Sequence, residues 1–368
     1  MNAATKVLTQ STSITEHYDG YHCEFDGKRV EISMNRKEPV SVPEKSMLPP
    51  SKSEEVNDDK CEEIPETVLQ YERQMRKIRA ADKAGAPVFK EKHLKVIFLD
   101  EDIVVTDKPS GILCVPGVNH NPSLLGLVHE EFASSAPEDS KMKRDSMIVH
   151  RLDMDTSGLV IFGRTKKAVS KLHEYFRKKE VDKKYEALVC GHVGPDQGLI
   201  DLPLQRDHER PPFMRVSTPS SEKAAAKVVE DLQHHGWKKI MKKKPKPSQT
   251  EFTVLERTVL PQTELPVTRI SLNPITGRTH QLRVHCAAMG HPIVADPAYG
   301  IYGESTANGG FSEAVMDAIA PSRASIKLQK EINVFLEQGK NMCLHAKTLQ
   351  IAHPVNGEKM TWKAPTPF

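Results

Sequence analysis

The chain has 368 residues, 38% of them hydrophobic and 27% charged, enough for one large folded domain or two small ones with a real core. Its 52 basic and 49 acidic residues leave a net charge of only +3, so bulk charge does not point to nucleic acid and any basic surface must be local. No apolar run is long enough to cross a bilayer, MNAATKVLTQSTS has no apolar signal core, and no C-x-x-C pair occurs, which argues against a membrane span, secretion, a zinc ribbon and a dithiol redox centre.

In chain order, residues 1–62 are expected to lack stable structure, because Met34 to Asp59 is dense in Pro, Ser, Glu, Lys and Asn. A helical arm is expected over 63–93. Pro65 suits a first helical turn, and Leu69, Tyr71, Met75 and Ile78 form a rough apolar stripe up to Asp82. The neighbouring Arg73, Arg76, Lys77 and Arg79 fit either an RNA-contacting arm or a solvated face. From residue 94 to 368 the texture is that of a folded domain. Val96–Leu99, Ile103–Thr106 and Leu159–Phe162 read as strands, with Val149–Gly158 a loop ahead of the third. The spacing of Val169, Leu172 and Phe176 predicts a helix over Lys166–Lys179, and Tyr185–Val189 returns to strand.

The insertion 237–247, WKKIMKKKPKP, fits a phosphate contact, a nuclear address or a plain exposed loop. Thr250–Leu255 and Val267–Leu272 read as paired strands around a turn near Pro261. A last helix is expected to start at Thr279 as N-cap and to stop at Gly290, burying Leu282, Cys286 and Met289.

Three segments carry chemistry. Val149–Leu159 packs a His, an Arg, two acids, two hydroxyls and a Gly into one loop before an apolar strand. An Asp there can be a nucleophile, a base or a metal ligand, and equally the anchor of an Asx turn. Gly277–His285 sets two arginines and two histidines at a helix start, where Arg278 fits an anion site and Arg283 can hold a carboxylate. The spacing of His280, His285 and His291 matches no metal-ligand set. Lys183–Leu188 adds a tyrosine at a strand start.

Taken together and in order, these segments resemble the RluA-type RNA pseudouridine synthases. HRLDMDTSGL at His150–Leu159, KKYEALVCG at Lys183–Gly191 and TGRTHQLRVHCAAMGHPIVADPAYG at Thr276–Gly300 match the family's three main motifs. DKPSGILCVPG at Asp107–Gly117 resembles its opening strand and loop. GHVGPDQGLIDLPL at Gly191–Leu204, with Arg210-Pro211 after it, suggests the subgroup, and LHAKTL, HP and KAP near the end also fit.

The resemblance implies an α+β fold: a long, mostly antiparallel mixed sheet with surrounding helices and loops and a central RNA-binding cleft. It implies an isomerase that turns specific uridines of rRNA or tRNA into pseudouridine, with no cofactor and no metal. Asp153 matches the catalytic aspartate, Tyr185 the tyrosine against the target base, and Arg283 the arginine paired with the aspartate. Arg151, Arg278, His280 and Gln281 are expected to bind RNA, while Asp155 occupies a variable position. The expected partner is a structured RNA and the expected state a monomer. The expected compartment is the cytoplasm, with the nucleus or an organelle as alternatives. Two rival readings are an inactive RNA-binding protein on the same fold and a hydrolase using Asp153 and Asp155 as a carboxylate pair. The N-terminal region and Trp237–Pro247 have no counterpart in the family. Ala295 stands where relatives often have Gly, with no catalytic effect expected.

Overall fold

Short apolar and alternating stretches give β1 (Tyr21–Phe25), β2 (Arg29–Met34), β3 (Val96–Leu99), β4 (Ile103–Lys108), β5 (Ser157–Gly163), β6 (Asp182–Cys190) and β7 (Gln197–Asp201). They continue with β8 (Leu204–Arg206), β9 (Met214–Val216), β10 (Gln249–Val259), β11 (Pro266–Pro274), β12 (Leu344–Ala352) and β13 (Lys359–Lys363). The computed structural model describes residues 21–25, 29–34, 87–117, 121–132, 142–232, 235–301, 303–320, 322–336 and 341–368. Eleven of the strands form one sheet in the order β1-β2-β7-β10-β11-β6-β12-β5-β4-β3, with β13 on β12, and β8 pairs β9 separately. The β2–β7 and β12–β5 pairs are parallel and the others antiparallel, so the sheet is mixed and mostly antiparallel, as expected.

The helices are α1 (Lys90–His93), α2 (Leu124–Phe132), α3 (Lys166–Lys178), α4 (Pro219–Asp231), α5 (His235–Met241), α6 (Gln281–Ala288), α7 (Glu313–Ile319) and α8 (Ile326–Leu336). Thr165 caps α3 by accepting from the Ala168 amide, and Lys179 ends it in the left-handed region. All seven residues of β5 are buried, because helices cover both of its faces. Ala168 and Leu172 of α3 pack with Ile103, Val105, Leu159 and Ile161. Leu124, Leu125 and Val128 of α2 pack with Val104, Val160 and Phe162. That two-sided burial explains the continuous apolar run that marks the strand in the sequence. Every residue of α6 is buried, inside a cluster with Ala187, Val189, Val267, Ile270 and Leu272 of the sheet's other half.

The structure corrects four expectations. Tyr21–Phe25 and Arg29–Met34, inside the segment expected to be unstructured, form the antiparallel β1–β2 pair, and β2 runs along β7 with Val30 opposite Gly198 and Ile32 opposite Ile200. Val30 and Ile32 are buried there, so an existing sheet edge stabilises strands too short and polar to stand out alone. The basic insertion is not a plain loop: α5 runs to Met241, whose side chain packs on Val228, Val229 and Leu232. Thr279 is not the N-cap of α6. His280 takes that place in a left-handed conformation, φ 54° and ψ 17°, without a side-chain cap. The apolar stripe of α6 is in fact a helix buried all round. Gly290 does follow the C-cap Met289 at φ 86°. The helix expected over Pro65–Asp82 lies outside the described residues.

Candidate active site

Strand register brings the site together. Tyr185 on β6 lies opposite Leu272 of β11 and Ala346 of β12, and Ala346 pairs with Gly158 of β5. Two inter-strand steps of about 4.8 Å therefore bring Tyr185 to the end of the loop that carries Asp153. Gly158 is required for this approach. Its φ is 112°, and an added Cβ would lie 2.4 Å from the Ala346 carbonyl oxygen and 2.6 Å from its amide nitrogen, inside any tolerable contact.

The loop itself is fixed through its backbone. Lys108, fully buried, donates from Nζ to the carbonyls of Pro109 at 2.9 Å, Ile112 at 2.8 Å and Met154 at 2.7 Å. Burial lowers its pKa to about 8, against the pull of Cys114, Asp155 and Asp153. The Gly111 amide donates to the same Met154 carbonyl at 3.0 Å, and Ser110 Oγ donates to the Asp155 carbonyl at 2.6 Å. His150 accepts from the Ile161 amide at 3.1 Å and stacks on Phe176. Burial and Lys183 push its pKa down to about 3, so it is a neutral structural ring.

Asp153 projects from this frame, its side chain 24% exposed, with Arg283 Nη1 at 3.6 Å and His280 Nε2 at 3.9 Å from its Oδ2. The expected Arg283–Asp153 pairing is therefore present, but it is not the arginine's principal bond. Arg283 grips the fully buried Asp296 with both arms of its guanidinium, Nε to Oδ2 at 2.8 Å and Nη2 to Oδ1 at 2.6 Å. Asp296 Oδ1 also accepts from the amides of Ala298 and Tyr299 at 2.8 and 2.9 Å. Burial works against the arginine's charge, but the Asp296 hydrogen bonds outweigh it and raise its pKa further. A fixed cation thus faces Asp153 through the one arm that Asp296 leaves open, where it stabilises negative charge on that carboxylate.

His280 completes this wall. Tyr299 Oη accepts from the Met214 amide at 2.9 Å and shares a hydrogen bond with His280 Nδ1, 2.9 Å away. Burial lowers the pKa of His280, against Asp153, and its Nε2 faces that carboxylate at 3.9 Å. Asp296 and Tyr299 sit inside the third motif, but no role was expected of either. The D-P-x-Y-G spacing was their only trace in the sequence.

Asp153, Tyr185, Arg283, Arg151, Arg278 and His280 line one cleft of about 320 Å³, with Lys183 beside them. Tyr185 is half-buried, and burial together with Asp153 pushes its phenol above the ordinary value, so it enters the cleft uncharged. Arg151 is exposed on the lip. Arg278 donates from Nε to the Pro247 carbonyl at 3.1 Å. Gln281, expected to bind RNA, is buried with its carboxamide fully engaged. It donates to Gln249 O and Thr250 Oγ1 and accepts from Thr276 Oγ1 and the Arg278 amide. It fixes the Thr276–His280 turn and has no polar valence left for a ligand. Asp155 does not line this cleft but a neighbouring one, which it shares with Asp153, His280 and Arg283 beside Phe213 and Cys114. Burial raises its pKa, against Arg283. Among the described residues no cluster of three His, Cys, Asp or Glu could hold a metal ion.

A cleft that joins one partly exposed aspartate to an oriented arginine and an uncharged tyrosine agrees with a family model described as RNA pseudouridylate synthase, which matches residues 102–288. The Escherichia coli K12 dual-specificity RNA pseudouridine synthase RluA is 32% identical over 280 residues, covering 76% of this chain and 95% of that protein. The chain belongs to the RluA-type RNA pseudouridine synthases. The proteins of the same name from Salmonella typhimurium and Haemophilus influenzae are 34% and 32% identical over the same length. The solved structure of human RNA pseudouridylate synthase domain containing 1 shares the fold, with a TM-score of 0.50 at 23% identity, over 77% of this chain and 87% of that one. A pseudouridine synthase is an isomerase acting on RNA. The Ala295 that stands in place of the relatives' frequent Gly has φ 59°, a left-handed conformation that glycine adopts at less cost.

Proposed function

We propose that Asp153 is the catalytic carboxylate of this RNA pseudouridine synthase, and that Arg283, Tyr185 and His280 form its working environment. The observation that carries this is the meeting of Asp153 and Arg283, 3.6 Å apart, with Tyr185 in one open cleft. The reaction breaks the bond from C1′ to N1 of uracil, turns the base over and joins C5 to C1′. The C5 proton leaves and N1 gains one, so no electron or group is exchanged with a co-reactant. Asp153 serves either by attacking C1′ or by removing a sugar proton, and both routes use its carboxylate form beside the Arg283 cation. The neutral Tyr185 ring suits packing against the base while it rotates.

Arg151 and Arg278 on the rim fit phosphates of a structured rRNA or tRNA. Their attraction offsets the few kcal/mol, roughly, that flipping a uridine out of a fold costs. The dual specificity in the names of the bacterial relatives favours more than one RNA target. A cytoplasmic monomer fits this role, and no helix among the described residues is long and apolar enough to cross a membrane. Two features count against the rivals. An inactive RNA binder has no need of a partly exposed carboxylate held against a buried arginine. A hydrolytic pair of Asp153 and Asp155 would work from the neighbouring cleft that both acids border and would leave unused the cleft that Asp153 shares with Tyr185.

Total cellular RNA incubated with the protein and then mapped for pseudouridine tests the assignment. The wild type should create sites that Asp153→Asn does not. Identical maps would remove Asp153 from the chemistry, and the sites themselves identify the RNA.

A further inference from the structure

The insertion after α4 has no role in the site described so far, yet it is tied to the lip of the cleft. Lys246 and Leu204 exchange two backbone hydrogen bonds, each 2.9 Å. The next residue, Pro247, takes the Arg278 Nε–H, and Gln249 is held by Gln281 through its carbonyl. At the other end, buried Met241 anchors α5. Between these anchors Lys242, Lys243, Lys244 and Lys246 are exposed. The sequence contains no acid from Leu232 to Thr250. Among the described residues these four side chains form no ion pair. Arg278 is shared: it lines the catalytic cleft, accompanies the strip, and borders an adjoining groove that carries Arg177, Lys179, Lys183 and Lys359 against Glu180 and Asp182.

We propose that Lys242–Pro247 is a phosphate-binding strip that extends the catalytic cleft and grips the RNA backbone beside the target uridine. The inference rests on the RNA reading of the cleft. Backbone pairing at Lys246 and the burial of Met241 hold the strip against the fold, so its charges occupy a defined place relative to Asp153. A solvated loop would leave them dispersed, and a free nuclear address would need the segment detached. Exposed lysines on an anchored backbone bind phosphates without reading bases, so their contribution is independent of sequence and dependent on salt.

The test measures binding of the full chain to unfractionated cellular tRNA over a range of salt concentrations. Replacing Lys242, Lys243, Lys244 and Lys246 with Gln should weaken binding about tenfold at 0.1 M salt. It should also flatten the plot of log affinity against log salt by about two, as expected for losing roughly three single-strand phosphate contacts. The four Lys→Arg replacements should restore both. Lys327→Gln with Lys330→Gln is the control, because α8 packs on Gly191, at the opposite end of β6 from Tyr185. An unchanged salt slope in the Gln variant overturns the proposal, as does an equal loss in the control or a failure of the Arg variant to recover. Pseudouridine formation by the wild type is read in parallel. If it is absent the catalytic reading fails, while the salt slopes still decide the strip.

Discussion

The two walls of the cleft are built in opposite ways. The wall that carries Asp153 is a loop fixed through its backbone, with Lys108, Gly111 and Ser110 bonded to the Met154 and Asp155 carbonyls. The wall that carries Arg283 and His280 is fixed through side chains: Asp296 holds Arg283, Tyr299 holds His280, and Gln281 is bonded to Thr250 and to the turn before α6. The first arrangement leaves the Asp153 carboxylate partly exposed, with Arg283 and His280 facing it across the cleft. The second removes nearly all freedom from the cation opposite it. One partly exposed acid against one fixed cation suits a reaction in which the carboxylate meets a sugar while its charge is stabilised from a constant direction.

The largest effect should come from breaking the side-chain wall. Arg283→Ala leaves Asp296 buried without its cation and should cost about 3–5 kcal/mol of stability, read as a fall in urea midpoint, and it should abolish pseudouridine formation. Arg283→Lys should recover part of the stability, because a single ammonium cannot reproduce the two-armed grip. Breaking the other wall acts through the backbone. Gly158→Ala forces a Cβ against the Ala346 carbonyl and into a left-handed backbone, and should cost about 2–4 kcal/mol. Because the strain lies between β5 and β12, activity should fall further than the loss of folded protein measured by circular dichroism.

Much of this contrast was legible in the sequence, and the rest was hidden for identifiable reasons. Asp153, Tyr185 and Arg283 stand in contiguous motifs, so their types and order revealed them. Their meeting depends on the register across β6, β12 and β5, which connects residues almost two hundred positions apart and leaves no local pattern. Asp296 drew no reading of its own in ADPAYG, because its partner Arg283 stands in a separate part of the motif, on a helix. Gln281 looked like a ligand group because polar residues in a motif suggest contact, whereas its four hydrogen bonds all close on the protein. The β1–β2 pair escaped because the edge of β7, not its own propensity, stabilises it.

The side-chain wall also predicts a pH response. His285 and His291 are fully buried, and burial holds each of their pKa values down to about 4. His285 Nε2 donates to the Leu202 carbonyl and its Nδ1 accepts from Thr250, an arrangement that requires a neutral ring. On unfolding both rings regain ordinary basicity. Their contribution is therefore complete above about pH 6.5 and is lost as the pH falls toward 4, by about 1.4 kcal/mol per pH unit for each ring. Denaturant midpoints at pH 7 and pH 5 should show the drop. A flat profile would mean that charged rings are accommodated and that the wall is looser than described. The smallest expected effect is at Ala295, where Ala295→Gly relieves a left-handed φ and should stabilise the protein by up to about 1 kcal/mol, with pseudouridine formation unchanged.

The central claim is that Asp153 performs the chemistry from the backbone-held wall of this cleft. The most direct measurement uses RNA labelled with tritium at C5 of uridine and follows its release to solvent under single turnover. The wild type should release tritium as pseudouridine forms, and Asp153→Asn should be slower by at least about a thousandfold. Release by Asp153→Asn at a rate near that of the wild type would contradict the account.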